Sequence, residues 1–167
     1  GPAMIKFEGH PYDVWEYIHP NVQVLYRDAG HILGSASVTL KINEGGKEII
    51  LGFTGDIGRP DRPILRDPVP MPEVDYLICE STYGDSLHEE HATTEDDLLI
   101  NIENTCLHKK GALVIPAFSV GRTQELLLAL NNLENKGLLP KVKYFVDSPL
   151  SVKITEILKK YPSYYNN

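Results

Sequence analysis

Four short apolar runs in this chain each lead to a residue able to do chemistry, and that recurrence limits the available folds more than any single motif does. Residues 49–51 lead through Gly52-Phe53-Thr54-Gly55 to Asp56, residues 75–79 to Glu80, residues 112–115 to Ser119, and residues 143–146 to Asp147. Runs of this length, rich in Val, Ile and aromatic side chains and bounded by Gly and Pro, read as buried strands. Functional groups that follow strands suit an α/β sheet, whose sites lie beyond the carboxyl ends of its strands. Gly55 and Gly58 flank Asp56, allow unusual backbone angles, and leave room beside the carboxylate for a metal or a phosphate. A plain Asp-Ile-Gly turn is the alternative reading of that stretch.

The elements between these runs fill out the picture. Residues 13–18 read as a short helix that stops at His19-Pro20, since the residue before a proline is pushed out of the helical region. Residues 22–26 read as a strand, followed by a glycine-marked loop that carries His31. Residues 37–42 alternate apolar and polar side chains and lead through Glu44-Gly45-Gly46-Lys47 into 48–53, which predicts a β-hairpin delivering Asp56. Residues 61–73 hold four prolines and no periodicity, so they form an irregular connection. Thr93 or Thr94 is placed to cap a helix that opens with Glu95-Asp96-Asp97, with Leu98, Leu99, Ile102 and Cys106 as its apolar stripe, closing at Lys109-Lys110-Gly111. Residues 121–133 and 152–160 read as two more helices. Strands alternating with helices in the second half predict a parallel sheet with right-handed crossovers.

Composition narrows the class of function. The net charge of −7 is concentrated in residues 1–86, at −6, against −1 for residues 87–167. An acidic first half argues against a protein that coats DNA through a basic face and suits a site that gathers carboxylates around cations. No apolar run is long enough to span a membrane and no signal-peptide layout opens the chain, so no membrane partner and a cytoplasmic location are expected. Cys79 and Cys106 lack Cys-x-x-Cys spacing and read as reduced thiols packed in or near the core.

His31 in a glycine-rich loop and Asp56 at a strand end are the ligand types of a zinc site, but a hydrolytic zinc takes three protein ligands and an open position for water. His31 also reads as a loop-stabilising histidine. His88 and His91 are spaced to chelate, with a solvated approach to the next helix as the competing reading. Glu80 reads as a ligand, an acid/base group, or a partner that orients an imidazole. Arg122, at a helix start, reads either as a phosphate contact or as a tie between the helix and its neighbouring loops through Glu125.

Taken together, Asp28-Ala29-Gly30-His31-Ile32-Leu33-Gly34-Ser35-Ala36, Thr54-Gly55-Asp56-Ile57-Gly58-Arg59, Glu80-Ser81-Thr82-Tyr83-Gly84, Pro116-Ala117-Phe118-Ser119-Val120-Gly121-Arg122-Thr123-Gln124-Glu125 and Asp147-Ser148-Pro149-Leu150 resemble, in this order, the motifs of metallo-β-lactamase-fold nucleases of the β-CASP type. The resemblance implies a zinc-dependent hydrolase that cleaves RNA phosphodiester bonds, as an endonuclease, a 5′ exonuclease or both, with two zinc ions. It implies His31 and Asp56 as metal ligands, Asp56 bridging the two ions, and Glu80 as a catalytic-site acid that pairs with a histidine. Ser119 and Arg122 are then candidate substrate-binding residues, and Arg122, Gln124 and Glu125 match a signature helix start that reads first as framework.

The pattern also departs from the family. No His-x-His-x-Asp-His motif precedes the matched region, and the later histidine-bearing motifs are absent. The expectation is therefore an internal fragment: a partial metallo-β-lactamase αββα sandwich over residues 5–86, followed by part of a parallel-sheet β-CASP domain over residues 87–167. Such a piece is expected to be inactive alone, to bind zinc weakly, and either to associate as a homo-oligomer through exposed surfaces or to be marginally stable. The alternatives are a non-catalytic scaffold or RNA-binding member of the same fold, and a nuclease that processes DNA.

Overall fold

A computed structural model describes residues 5–87 and 95–165. Its contacts divide the chain into two units, one holding the described residues up to Asp85 together with Tyr164 and Tyr165, the other running from Ser86 to Ser163.

The first unit is built on a five-stranded sheet in the order β1 (Glu16–His19), β2 (Val22–Asp28), β3 (Ala36–Glu44), β4 (Lys47–Phe53) and β5 (Tyr76–Ile78). The first four strands pair antiparallel, and β5 joins β4 in parallel. The β3–β4 hairpin turns at Gly45 and Gly46, both in the left-handed region at φ 57° and 80°, the backbone that a two-residue hairpin needs to match strand twist. Leu25 and Val24 are neighbours on β2, so they face opposite sides of the sheet, and both are only 2% exposed. The sheet is therefore covered on both faces at its centre. Met71 and Val74, from the irregular proline-rich connection, crowd over Gly52 on one of them. At the far end of the unit Tyr165 bridges Leu65, and the Tyr164 ring packs edge-on to Tyr12.

One expectation fails in this unit. The helix predicted over residues 13–18 is replaced by β1, which pairs Glu16 with Val24 and Tyr17 with Gln23. Asp13 sits at φ 63°, outside any right-handed helix, and its N–H is taken by the Tyr26 carbonyl at 2.9 Å. Trp15, Tyr17 and Ile18 favour a pleated neighbour, and β2 supplies one across a tight turn.

The second unit is helical: α1 (Glu95–Ile102) runs on into a wider π-helical segment (Glu103–His108), and α2 (Arg122–Asn135) and α3 (Pro149–Leu158) follow. Leu98, Ile102 and Leu133 are its buried core, with Cys106, Leu126 and Leu130 packed around them, as the predicted stripes require. Glu95 at the start of α1 accepts hydrogen bonds from Asn132 at 2.7 Å and Lys136 at 2.5 Å, joining it to the far end of α2. Helix α3 starts earlier than expected, because Ser148 and Pro149 form a cap and first-turn pair: the Ser148 Oγ accepts from the Ser151 N–H at 3.2 Å. The Thr93/Thr94 cap expected for α1 lies outside the described residues.

The parallel sheet expected in this half does not form among the described residues. Residues 112–115 and 143–146 carry no strand ladder, and Val114, Phe118 and Phe145 are 82%, 86% and 83% exposed. An apolar run supplies one side of a ladder only, and a parallel partner must come from a distant part of a chain. Cys79 is likewise not a core thiol: it is free and exposed just past β5, whereas Cys106 is free and half-buried.

Truncating Leu25 to Ala is expected to destabilise the sheet by about 2–5 kcal/mol, the cost of a buried leucine plus the cavity it leaves. Urea unfolding followed through Trp15, the single tryptophan, checks this, since Lys41 on β3 lies over that ring.

Candidate functional site

Antiparallel pairing places the end of β2 and the start of β3 at one end of the sheet, where Asp28 pairs with Ala36. The same end receives the end of β4, at Phe53, and the end of β5, at Ile78. His31 sits in the connection between β2 and β3, Asp56 follows β4, and Glu80 follows β5, so strand direction alone brings these three to one edge.

A backbone contact then closes the gap. The Gly58 N–H donates to the Ala29 carbonyl at 2.7 Å, and a Cβ built on Gly58 would lie 1.8 Å from the Gly30 carbonyl oxygen and 2.7 Å from the His31 nitrogen. On the other side, a Cβ on Gly30, whose φ is +64°, would come within 2.7 Å of the Pro68 nitrogen. Only glycine fits at either place. As a result His31 Nε2 stands 3.9 Å from Asp56 Oδ2, with the two side chains 44% and 75% exposed.

Glu80 is fixed by two clasps between the ends of β4 and β5. Its own N–H donates to Thr54 Oγ1 at 3.0 Å, while the Thr54 N–H donates to the Ile78 carbonyl at 3.0 Å. Its carboxylate accepts from the Ile57 N–H at 2.5 Å through Oε1 and from the Thr82 hydroxyl at 2.7 Å through Oε2. The Ile57 hydrogen bond first, then Thr82, and His31 nearby hold this carboxyl below the usual glutamate range. An ionised carboxylate with both oxygens engaged can accept protons or hold neighbours, but it has no proton to give at neutral pH.

As donors, an imidazole nitrogen and a carboxylate oxygen are zinc ligand types, and these exposed side chains need close by only about 0.5 Å to reach the roughly 3.4 Å that separates two ligands of one tetrahedral zinc. Among the described residues no group of three or more His, Cys, Asp or Glu is arranged to hold a metal. His31 and Asp56 therefore stand as a pair, one histidine and one carboxylate, with no third such group arranged beside them among the described residues. His88 and His91 lie outside the described residues.

Ser119 and Arg122 belong to the second unit. The Ser119 hydroxyl lies 3.2 Å from the Ser148 hydroxyl, and its carbonyl accepts from the buried Gln124 amide at 3.1 Å. Gln124 also donates to Thr155 at 3.1 Å, linking α2 to α3. Arg122 pairs with Glu125 at 3.1 Å, and the first amides of α2 are already taken, Arg122 N–H by Val120 and Thr123 N–H by Phe118. These bonds give the helix start a framework role. Asp147 precedes the α3 cap residue Ser148.

Sequence reading missed Thr54, Thr82, Ser35 and Tyr12 as supports of this sheet end. Thr54 and Thr82 sit inside recognised motifs, so their position was a signal. Tyr12 carried none, because its contact with Ser35 joins residues 23 apart in the chain.

Gly58→Ala is expected to cost about 3 kcal/mol or more in urea unfolding, since the new methyl has rigid backbone in its way. For Glu80, a group whose folded value is depressed, the stabilising contribution is present above the unfolded-state value of about 4.3 and lost as pH falls through the lower folded value. Thr82→Ala is expected to move the Glu80 midpoint back up, read by carbon-detected NMR titration; an unmoved midpoint would show that the hydroxyl does not hold the carboxylate.

Comparison with known proteins gives these features a context. The Beta-Casp domain family matches residues 123–167. An RNase J-like protein of Methanocaldococcus jannaschii is 36% identical over 98% of this chain and 38% of its own length. Transcription termination factor FttA of Methanosarcina mazei is 36% identical over 90% of this chain and 23% of its own length. Endoribonuclease YSH1 of Yarrowia lipolytica is 36% identical over 83% of this chain and 16% of its own length. The chain thus spans well under half of each of these relatives, and by these matches it belongs to the β-CASP family.

Proposed function

We propose that this chain is part of a zinc-dependent hydrolase that cleaves RNA phosphodiester bonds. The observation that carries the reading is the His31–Asp56 pair, 3.9 Å apart at the sheet end and exposed, in a chain whose relatives include proteins named as ribonucleases. Zinc held by these ligands would supply an acidified water and positive charge beside a phosphodiester. His31 would serve as a neutral imidazole and Asp56 as an anionic oxygen donor. Glu80 in this reading holds the Asp56 loop through the Ile57 N–H and accepts a hydrogen bond from a neighbouring group, and its low pKa speaks against a role as general acid. Ser119 and Arg122 would meet substrate, Arg122 by sharing its exposed guanidinium between Glu125 and a phosphate.

The two described donors fall short of the three that a catalytic zinc uses, so the chain by itself is proposed to be inactive and to hold metal weakly. Two free cysteines agree with a reducing, cytoplasmic setting, and no helix among the described residues is long and apolar enough to cross a membrane. A second reading, a member that binds RNA without cutting it, draws on the relative named as a termination factor.

In the full-length protein, Asp56→Asn and His31→Ala are each expected to lower cleavage of a labelled RNA by at least about 100-fold, as loss of a metal-site group commonly does. RNA bound with unchanged affinity and never cut, by wild type and variants alike and with zinc supplied, would select the non-catalytic reading. Preference for an otherwise identical DNA would displace RNA as substrate.

A further inference from the structure

The ring of His31 has no hydrogen-bond partner among the described residues, and the Asp56 oxygen at 3.9 Å is beyond hydrogen-bonding reach. Metal-binding histidines usually have the second ring nitrogen held by an acceptor that aims the imidazole. Here the aim has to come from the backbone, and the connection of residues 29–35 is built for that. Gly30 N–H donates to Asp28 Oδ1 at 2.9 Å. The next two amides, of His31 and Ile32, both donate to the Ser35 Oγ, at 3.1 and 3.3 Å. The Ser35 carbonyl accepts twice, from Ala29 N–H at 3.2 Å and from the Tyr12 hydroxyl at 2.8 Å. Three consecutive amides are thus turned onto side-chain oxygens, and the residue that takes two of them is tied down by the Tyr12 hydroxyl.

We infer that Ser35 and Tyr12 are positioning residues for the metal site, Ser35 fixing the His31 peptide and Tyr12 fixing Ser35. The inference rests on the reading of His31 and Asp56 as metal ligands. Burial, the Asp28 carboxylate and Tyr164 push the Tyr12 phenol up to about 12, so it remains a neutral donor over the whole neutral range. The loop is exposed around His31, so water can replace a lost Ser35 hydroxyl as acceptor, and the global fold has little to lose. What is lost is preorganisation: a mobile His31 pays its ordering cost when metal binds.

The test is a manganese(II) titration of the chain, with binding read from paramagnetic broadening of the His31 imidazole signals, which registers weak sites. Metal-free melting temperatures are taken alongside by circular dichroism. Wild type is expected to show saturable broadening that Asp56→Asn abolishes. Ser35→Ala is expected to weaken binding about 10-fold, in the range seen for groups that orient metal ligands, with little change in metal-free melting. Ser35→Thr, which keeps the hydroxyl, is expected to restore affinity, and Tyr12→Phe, which keeps the ring against Tyr164, to weaken it. Unchanged affinity in both Ser35→Ala and Tyr12→Phe, with wild type binding, would overturn the positioning role and leave the ligand reading standing. Wild-type broadening no greater than that of Asp56→Asn would overturn the ligand reading and this inference with it. Should Ser35→Ala unfold, Tyr12→Phe decides: full affinity would refute the latch.

Discussion

The contact of Gly58 with Ala29 and Gly30 is the constraint on which the candidate site depends. Strands in a sheet lie about 4.8 Å apart, so β2 and β4, with β3 between them, run roughly 10 Å from each other. Side chains carried on the ends of two strands so spaced do not meet. Here β3 begins only at Ala36, after His31, so the strand that would hold them apart ends before the segments that extend β2 and β4. They fold together over the gap until backbone meets backbone, with Gly58 N–H on the Ala29 carbonyl at 2.7 Å. Two glycines in two distant motifs make that approach sterically possible.

The clasp at Glu80 extends the same edge by one more strand. Strand β5 is short and exposed, with only one neighbour in the sheet among the described residues, and such a strand is held weakly by its ladder alone. Thr54 and the Glu80 carboxylate add side-chain bonds at its carboxyl end, so that β5 and the Asp56 loop order each other. A carboxylate that accepts a main-chain N–H next to a proposed ligand does structural work through its charge, and the same bonds that depress its pKa keep it in the charged state that can do it.

What the sequence made legible was local. The Gly45-Gly46 hairpin, strand β2, the apolar stripe of α1 and the placement of Asp56 and Glu80 after strands all follow from patterns within a dozen residues. Where sequence reading failed, a distant partner decided. Residues 13–18 have lengths and polarity compatible with a helical turn, but β2 captures them as β1. Residues 112–115 and 143–146 look like strands by composition, yet strand structure exists only with a partner, and the described residues offer none. The candidate site divides in the same way: glycine-bounded motifs revealed His31 and Asp56, whereas the Tyr12–Ser35 hydrogen bond joins positions whose relation is set by the whole sheet.

The exposure of the His31–Asp56 pair decides what holds it together. Opposite charges 3.9 Å apart with such open side chains attract weakly, because water and salt screen them and two mobile side chains must be ordered. The separation is therefore set by the scaffold beneath, through the Gly58 contact on one side and the amides turned onto Ser35 on the other. A scaffold that brings an imidazole and a carboxylate together without using their mutual attraction leaves both with lone pairs directed at solvent. That is the condition in which two donors can serve a cation, and it is reached here by backbone packing at Gly58 together with the Ser35 hydroxyl.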